Sequence, residues 1–165
     1  MKKIIFVRHA RAEEYSSSFS DFERSLTTNG KKTSEKMALK LLEKEKDKLL
    51  FITSPAFRAY ETAVIFARTM GSDPDMILLR NEIYTKATLN SFAAIFDELN
   101  DDINGVIMFG HNPSFTEIPD RLSKSGCDFL PKTGIVCLTF LTSTWKGIMR
   151  ERGNLEYFLK PEKSA

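Results

Sequence analysis

Four apolar residues, Ile4-Ile5-Phe6-Val7, run straight into Arg8-His9. An uninterrupted run of this kind, mostly β-branched or aromatic, suits a strand covered on both faces, as in the middle of a parallel sheet. A buried strand that stops at Arg8-His9 delivers two polar side chains to the carboxyl edge of its sheet, where open α/β proteins bind ligands. Alone, the pair reads more readily as a strand end satisfied by backbone carbonyls. Its weight comes from recurrence, because the same design appears twice more downstream.

The rest of the chain alternates in kind. A polar stretch, residues 11–24, reads as a loop long enough to be functional. Leu26-Thr27-Thr28-Asn29-Gly30 opens a helix with Thr27 or Thr28 as its N-cap and Met37, Leu41 and Leu42 as its apolar stripe. Its far end, Glu43 to Lys48, alternates in charge sign and is expected to be a solvated terminus. Leu49–Thr53 is a second strand, broken at Ser54-Pro55, where Ser54 is expected to cap a helix and Pro55 to be its first residue. That helix packs through Ala59, Ala63, Phe66, Ala67 and Met70 and stops at Gly71.

Met76–Leu79 is a third strand, followed by an extended loop through Asn81-Glu82-Ile83-Tyr84. Phe92, Ile95, Phe96 and Leu99 mark a third helix. Val106–Phe109 is a fourth buried strand, ending at Gly110-His111-Asn112-Pro113, with a helix expected from Pro113 to about Lys124 that Pro119 kinks or shortens. Ile135–Leu141 forms a fifth strand, Ser143 caps a short helix carrying Trp145 and Ile148, and Leu155–Leu159 is the last strand. This order predicts an α/β fold: one domain over residues 1–165, a three-layer αβα sandwich around a mostly parallel sheet.

Composition removes several function classes. A formal net charge of +2 gives no polybasic field for nucleic acid or a membrane surface. No apolar run approaches the roughly 20 residues that span a bilayer. The N-terminal apolar run is too short for a signal-peptide core. A cytoplasmic protein is expected, and its two cysteines, Cys127 and Cys137, read as reduced thiols. Cys137 lies in an apolar run and Cys127 beside Asp128, so neither environment makes a nucleophile.

Three strand ends thus supply Arg8 and His9, then Arg58, then His111, at one edge of a parallel sheet. Both histidines of the chain are among them. Guanidinium forks match phosphate oxygens, helix N-termini add N–H donors, and a neutral imidazole attacks phosphorus as a nucleophile. The set describes an anion pocket of phosphate type. No P-loop and no dense carboxylate cluster accompany it, so no cofactor and no metal are expected. Singly, Arg58 is also readable as a surface helix arginine and His111 as a buried turn histidine.

Four motifs carry a resemblance over essentially the whole chain. Arg8-His9-Ala10, Leu26-Thr27-x-x-Gly30, Ser54-Pro55-x-x-Arg58-Ala59-x-x-Thr62-Ala63 and Gly110-His111-Asn112-Pro113 resemble the histidine phosphatase superfamily, in the branch with phosphoglycerate mutases. Arg24-x-Leu26-Thr27, the short length and the ending around Trp145 and Leu155-x-x-Phe158-x-x-Pro161 look most like the SixA-type phosphohistidine phosphatases. The resemblance implies a phosphoglycerate mutase-like fold and a metal-independent phosphatase. It implies His9 as the phosphorylated nucleophile, Arg8 and Arg58 as phosphoryl ligands, and His111 as a donor, either as imidazolium or as a fixed N–H tautomer. Arg24 is a candidate phosphoryl ligand or an exposed loop charge, and Asn112 a candidate positioning residue.

Two departures from the pattern stand out. Ala10 replaces the usual glycine after the nucleophile, and Ala disfavours positive φ. Glu82 is the one candidate for the general acid of mutases and sugar phosphatases, and it reads equally as a loop carboxylate. The expected partner is a phosphohistidine domain of a protein or a small phosphorylated metabolite. A mutase is disfavoured because residues 84–104 are too short to enclose a substrate. A non-catalytic phosphate-recognition module is the alternative from another class.

Overall fold

In the computed structural model, which describes residues 1–84 and 86–163, the chain forms one mixed sheet with helices on both faces. Its elements are β1 (Lys2–Arg8), α1 (Thr28–Lys44), β2 (Leu50–Thr53), α2 (Phe57–Thr69), β3 (Leu78–Leu79), α3 (Leu89–Asp97), β4 (Gly105–Gly110), α4 (Ser114–Leu122), β5 (Ile135–Phe140) and β6 (Asn154–Leu159). Among the described residues the sheet order is β3-β2-β4-β1-β5-β6. The first four strands in that order pair in parallel, and β5 and β6 pair antiparallel. The expected mostly parallel sandwich is therefore the observed architecture.

β1 divides the core in two. Ile4 and Phe6 point to one face, where they meet Phe92, Ile95 and Phe96 of α3, Phe115 and Ile118 of α4, and Trp145. Ile5 and Val7 point to the other, against Met37, Ala38 and Leu41 of α1 and Ala63, Phe66 and Ala67 of α2. Burying each such side chain is worth about 1.5–3 kcal/mol. That explains why the central strand reads as continuous apolar sequence. Trp145 is fully buried and stacks on Phe96 with ring centroids 5.7 Å apart. No helix among the described residues is long and apolar enough to cross a membrane.

The start of α1 is tied to the segment after His9. Thr27 caps the helix, its side chain accepting from the Gly30 N–H at 2.9 Å. The Thr27 N–H donates to the Arg11 carbonyl at 2.9 Å. A Cβ on Gly30 would collide with that same carbonyl, so the glycine is required by close approach.

Several local expectations are corrected. Helix α2 begins at Phe57 with Ala56 at its N-cap, so Ser54 does not cap it and Pro55 is not its first residue. The reason is that the Ser54 N–H still donates to Phe109, extending the sheet ladder beyond Thr53. The segment after β3 is a 3-10 turn, Asn81–Ile83, and Pro74–Met76 is another, which shortens the third strand to Leu78–Leu79. α4 stops at Leu122, before Lys124. The short helix after β5 is a 3-10 turn, Lys146–Arg150, with Trp145 rather than Ser143 at its cap. Glu45 is not solvated: it is 3% exposed, with the Lys3 ammonium at 2.9 Å and the Tyr157 hydroxyl at 2.6 Å.

Candidate active site

Three adjacent strands, β2, β4 and β1, end side by side, and their following residues stay bonded to one another. The His9 N–H donates to Gly110 at 3.0 Å, and the Ser54 N–H to Phe109 at 2.9 Å. Both imidazoles are thereby brought together, with ring centroids 5.1 Å apart, and each residue is 8% exposed. At Gly110 a Cβ would strike the Phe115 ring, so this glycine lets Phe115 pack beneath the strand end that carries His111.

The proton positions on His9 follow from its partner. Its Nδ1 lies 2.7 Å from the Ala10 carbonyl, which only accepts, so Nδ1 carries the proton and Nε2 keeps its lone pair. The next residue is also held: the Ala10 N–H donates to the Thr62 hydroxyl at 3.1 Å, which donates to the Arg58 carbonyl at 2.7 Å. Ala10 is not among the residues with positive φ, so alanine stands here without backbone strain.

Cations surround the two rings. Arg8 donates through Nη1 to the Leu130 carbonyl at 3.2 Å and lies over the Phe129 ring at 5.5 Å. Arg58, 7% exposed, donates to the Asp21 carbonyl at 2.8 Å and to its carboxylate at 3.1 Å. Arg24 reaches the same carboxylate at 2.9 Å and donates to the Glu13 carbonyl at 2.7 Å. The Tyr84 hydroxyl also donates to Asp21, at 3.1 Å, while its ring meets His111 edge-on at 5.7 Å. Phe22 packs against both Phe57 and Tyr84 and completes this wall.

Two buried side-chain nitrogens have no hydrogen-bond partner among the described residues: Arg8 Nε and His111 Nδ1. The other edge of His111 is occupied, with Nε2 2.8 Å from the Ser54 hydroxyl. Burial, then the Arg58, Arg8 and Arg24 charges, push the His111 pKa down to about 3, against an opposing pull from Asp21. Burial likewise takes His9 down to about 3, opposed by its bond to Ala10 and reinforced by His111, Arg58 and Arg8. Both rings are neutral at physiological pH. Burial raises the Asp21 pKa, but its bonds to Arg24, Arg58 and Tyr84 outweigh this and hold the carboxyl below its ordinary value.

The sequence model of the histidine phosphatase superfamily, branch 1, matches residues 4–82, which hold Arg8, His9 and Arg58. His111 lies beyond that match, yet the fold places it against His9. Over residues 4–82, just under half of its length, the chain is similar to the histidine phosphatase superfamily. Solved structures agree on the fold over almost the whole length. SixA from Agrobacterium tumefaciens is 22% identical, with a TM-score of 0.79 covering 98% of this chain and 99% of that one. The protein histidine phosphatase SixA complexed with tungstate is 20% identical at a TM-score of 0.79, covering 96% and 97%. A mycobacterial glucosyl-3-phosphoglycerate phosphatase is 12% identical at a TM-score of 0.62, covering 94% and 97%. No curated protein sequence matches the chain.

The structure brings Arg8, His9, Arg58 and His111 near one another, and Arg24 joins them through Asp21. Glu82 lies exposed in its 3-10 turn, two residues before Tyr84. Asn112 spends its amide on the Leu130 carbonyl at 2.9 Å and the Thr116 hydroxyl at 3.0 Å. Sequence reasoning missed Asp21, Ser54, Thr62 and Tyr84. Ser54 and Thr62 stand inside a quoted motif, so a signal existed for them. Asp21 and Tyr84 had none beyond their nearness to Arg24 and Glu82. Among the described residues no group of three or more His, Cys, Asp or Glu is placed to hold a metal ion.

Proposed function

We propose that the protein is a phosphatase that works without a metal through a phosphohistidine at His9, and that its substrate is a phosphohistidine borne by another protein. The observation that carries the reading is the pair of buried nitrogens without a partner among the described residues, Arg8 Nε and His111 Nδ1, beside an imidazole whose Nδ1 is anchored. Donors left open in the interior are costly unless an anion completes them. The wall of guanidinium groups favours a phosphoryl group over a cation. Tungstate, an oxyanion, occupies the SixA structure of the same fold.

In the first step the Nε2 lone pair of His9 forms a bond to phosphorus. The bond from phosphorus to the substrate nitrogen breaks, and its electron pair leaves with that nitrogen, which takes a proton from water. Arg8, Arg58 and the His111 edge hold the phosphoryl oxygens as their charge redistributes. In the second step water attacks phosphorus, the P–Nε2 bond breaks, His9 regains its lone pair, and the phosphate departs carrying the protons of the water. An imidazole leaves readily, so no carboxylic acid is needed, which agrees with Glu82 lying exposed.

The test is turnover in the presence of chelator, comparing a phosphohistidine protein with a panel of phosphomonoesters, each with wild type and His9→Ala. The expected result is preference for the phosphoramidate, abolished in the variant. Full activity of His9→Ala refutes the nucleophile. Preference for an ester moves the assignment to a metabolite phosphatase and promotes Glu82 to acid. Binding without turnover makes the protein a recognition module.

A further inference from the structure

We infer that Ser54 is a positioning residue: its hydroxyl donates to His111 Nε2 and so keeps the imidazole proton on Nδ1, the edge left open for a ligand. The inference rests on the phosphatase reading for its catalytic consequence, but the proton placement follows from hydrogen-bond counting alone.

Ser54 is completely buried. Its hydroxyl has one proton to give and two lone pairs to offer. Two partners lie within reach: the Ala56 N–H at 3.3 Å, which only donates, and His111 Nε2 at 2.8 Å. Suppose Nε2 carried the proton. Ser54 would then receive two donors, its own proton would have no acceptor, and His111 Nδ1 would be a bare acceptor in a pocket of guanidinium groups. Both would be buried and unsatisfied. With the proton on Nδ1 instead, Ser54 accepts from Ala56 and donates to Nε2. One group alone then stays open, the Nδ1–H, and a phosphoryl oxygen satisfies it. A doubly protonated ring is disfavoured by burial first and then by the Arg58, Arg8 and Arg24 charges around it.

The two histidines thus share one tautomer and show opposite edges. His9 gives its Nδ1 proton to Ala10 and presents a lone pair; His111 has its Nε2 lone pair taken by Ser54 and presents a proton. One attacks and the other donates because each has a different second partner. Ser54 follows β2 directly, and its N–H is bonded to the strand that carries His111, so the pairing is set by sheet register.

The experiment is two-bond proton–nitrogen NMR of the imidazoles, with and without inorganic phosphate, on wild type, Ser54→Ala and Ser54→Thr. Only two histidines contribute signals. Wild type is expected to show the proton on Nδ1 of both rings, with the His111 Nδ1–H shifting on phosphate addition. In Ser54→Ala, His111 is expected to lose that preference while His9 keeps it, and kcat to fall about tenfold to a hundredfold. Ser54→Thr, which keeps a hydroxyl, restores both. A wild-type His111 proton on Nε2 overturns the proposal. So does a Ser54→Ala protein that keeps the Nδ1 proton, whatever its activity, or one with unchanged kcat. Should the protein turn over no phosphorylated substrate at all, the phosphatase reading fails while the wild-type tautomer still decides the role of Ser54.

Discussion

Lowering the pH from 7 to 5 is expected to cost the folded protein about 4 kcal/mol through two imidazoles. His9 and His111 are each held down to about 3 in the folded chain. Unfolding returns both to the ordinary value of 6.5. Between those values the unfolded state binds more protons, so stability falls as pH falls through 6.5 and keeps falling until the native rings protonate near 3. Linkage over this interval gives about 2 kcal/mol per histidine between pH 7 and pH 5. The assay is urea unfolding at the two pH values, followed through Trp145, the single tryptophan and fully buried. The reference is His9→Gln/His111→Gln, in which the carboxylates still titrate but the imidazoles are gone. The variant should lose far less stability than wild type over the interval. Equal losses in the two proteins would refute the claim that these rings are kept neutral by burial and cationic neighbours. The same neutrality means that the His9 lone pair survives in mildly acidic solution.

Two further outcomes test the surroundings of the site. Asp21→Asn removes a negative charge that shares Arg58 and Arg24 with any incoming oxyanion, so inorganic phosphate should bind about fivefold tighter by calorimetry; weaker binding would mean that the carboxylate serves chiefly to hold the two guanidinium groups. Gly30→Ala forces a methyl group onto the Arg11 carbonyl and should destabilise the protein by about 2 kcal/mol in thermal or urea unfolding, with no loss expected only if the start of α1 can move away from the segment after His9.

The elements legible in the sequence were those defined by short-range pattern. Ile4–Val7 announces a central strand because both faces are covered, and the apolar side chains of α1 and α2 return at helical spacing. The strand-end motifs exposed Arg8, His9, Arg58 and His111 because each sits where a buried run abruptly turns polar. What stayed hidden depends on distant partners. Ser54 looks like a helix cap because a small hydroxyl suits either task, and only the third dimension places His111 beside it. Glu45 looks solvated in its charged run until Lys3 of β1 and Tyr157 of β6, the strands that flank β5, close over it. Asp21 is one acid among several in a polar loop, and its role appears only where Arg58, Arg24 and Tyr84 converge on it.

His9, Ser54 and His111 hang directly from adjacent strands, whereas Asp21, Phe22 and Arg24 come from a connection held by isolated bridges, Ala12 to Leu26 and Ser16 to Phe19. The two imidazoles and part of the wall beside them therefore sit on separately editable parts of the chain. Replacing residues 13–24 would change the wall beside the two imidazoles while His9, Ser54 and His111 keep their register. Diversification in such a protein has a natural place to happen, and it lies outside the sheet.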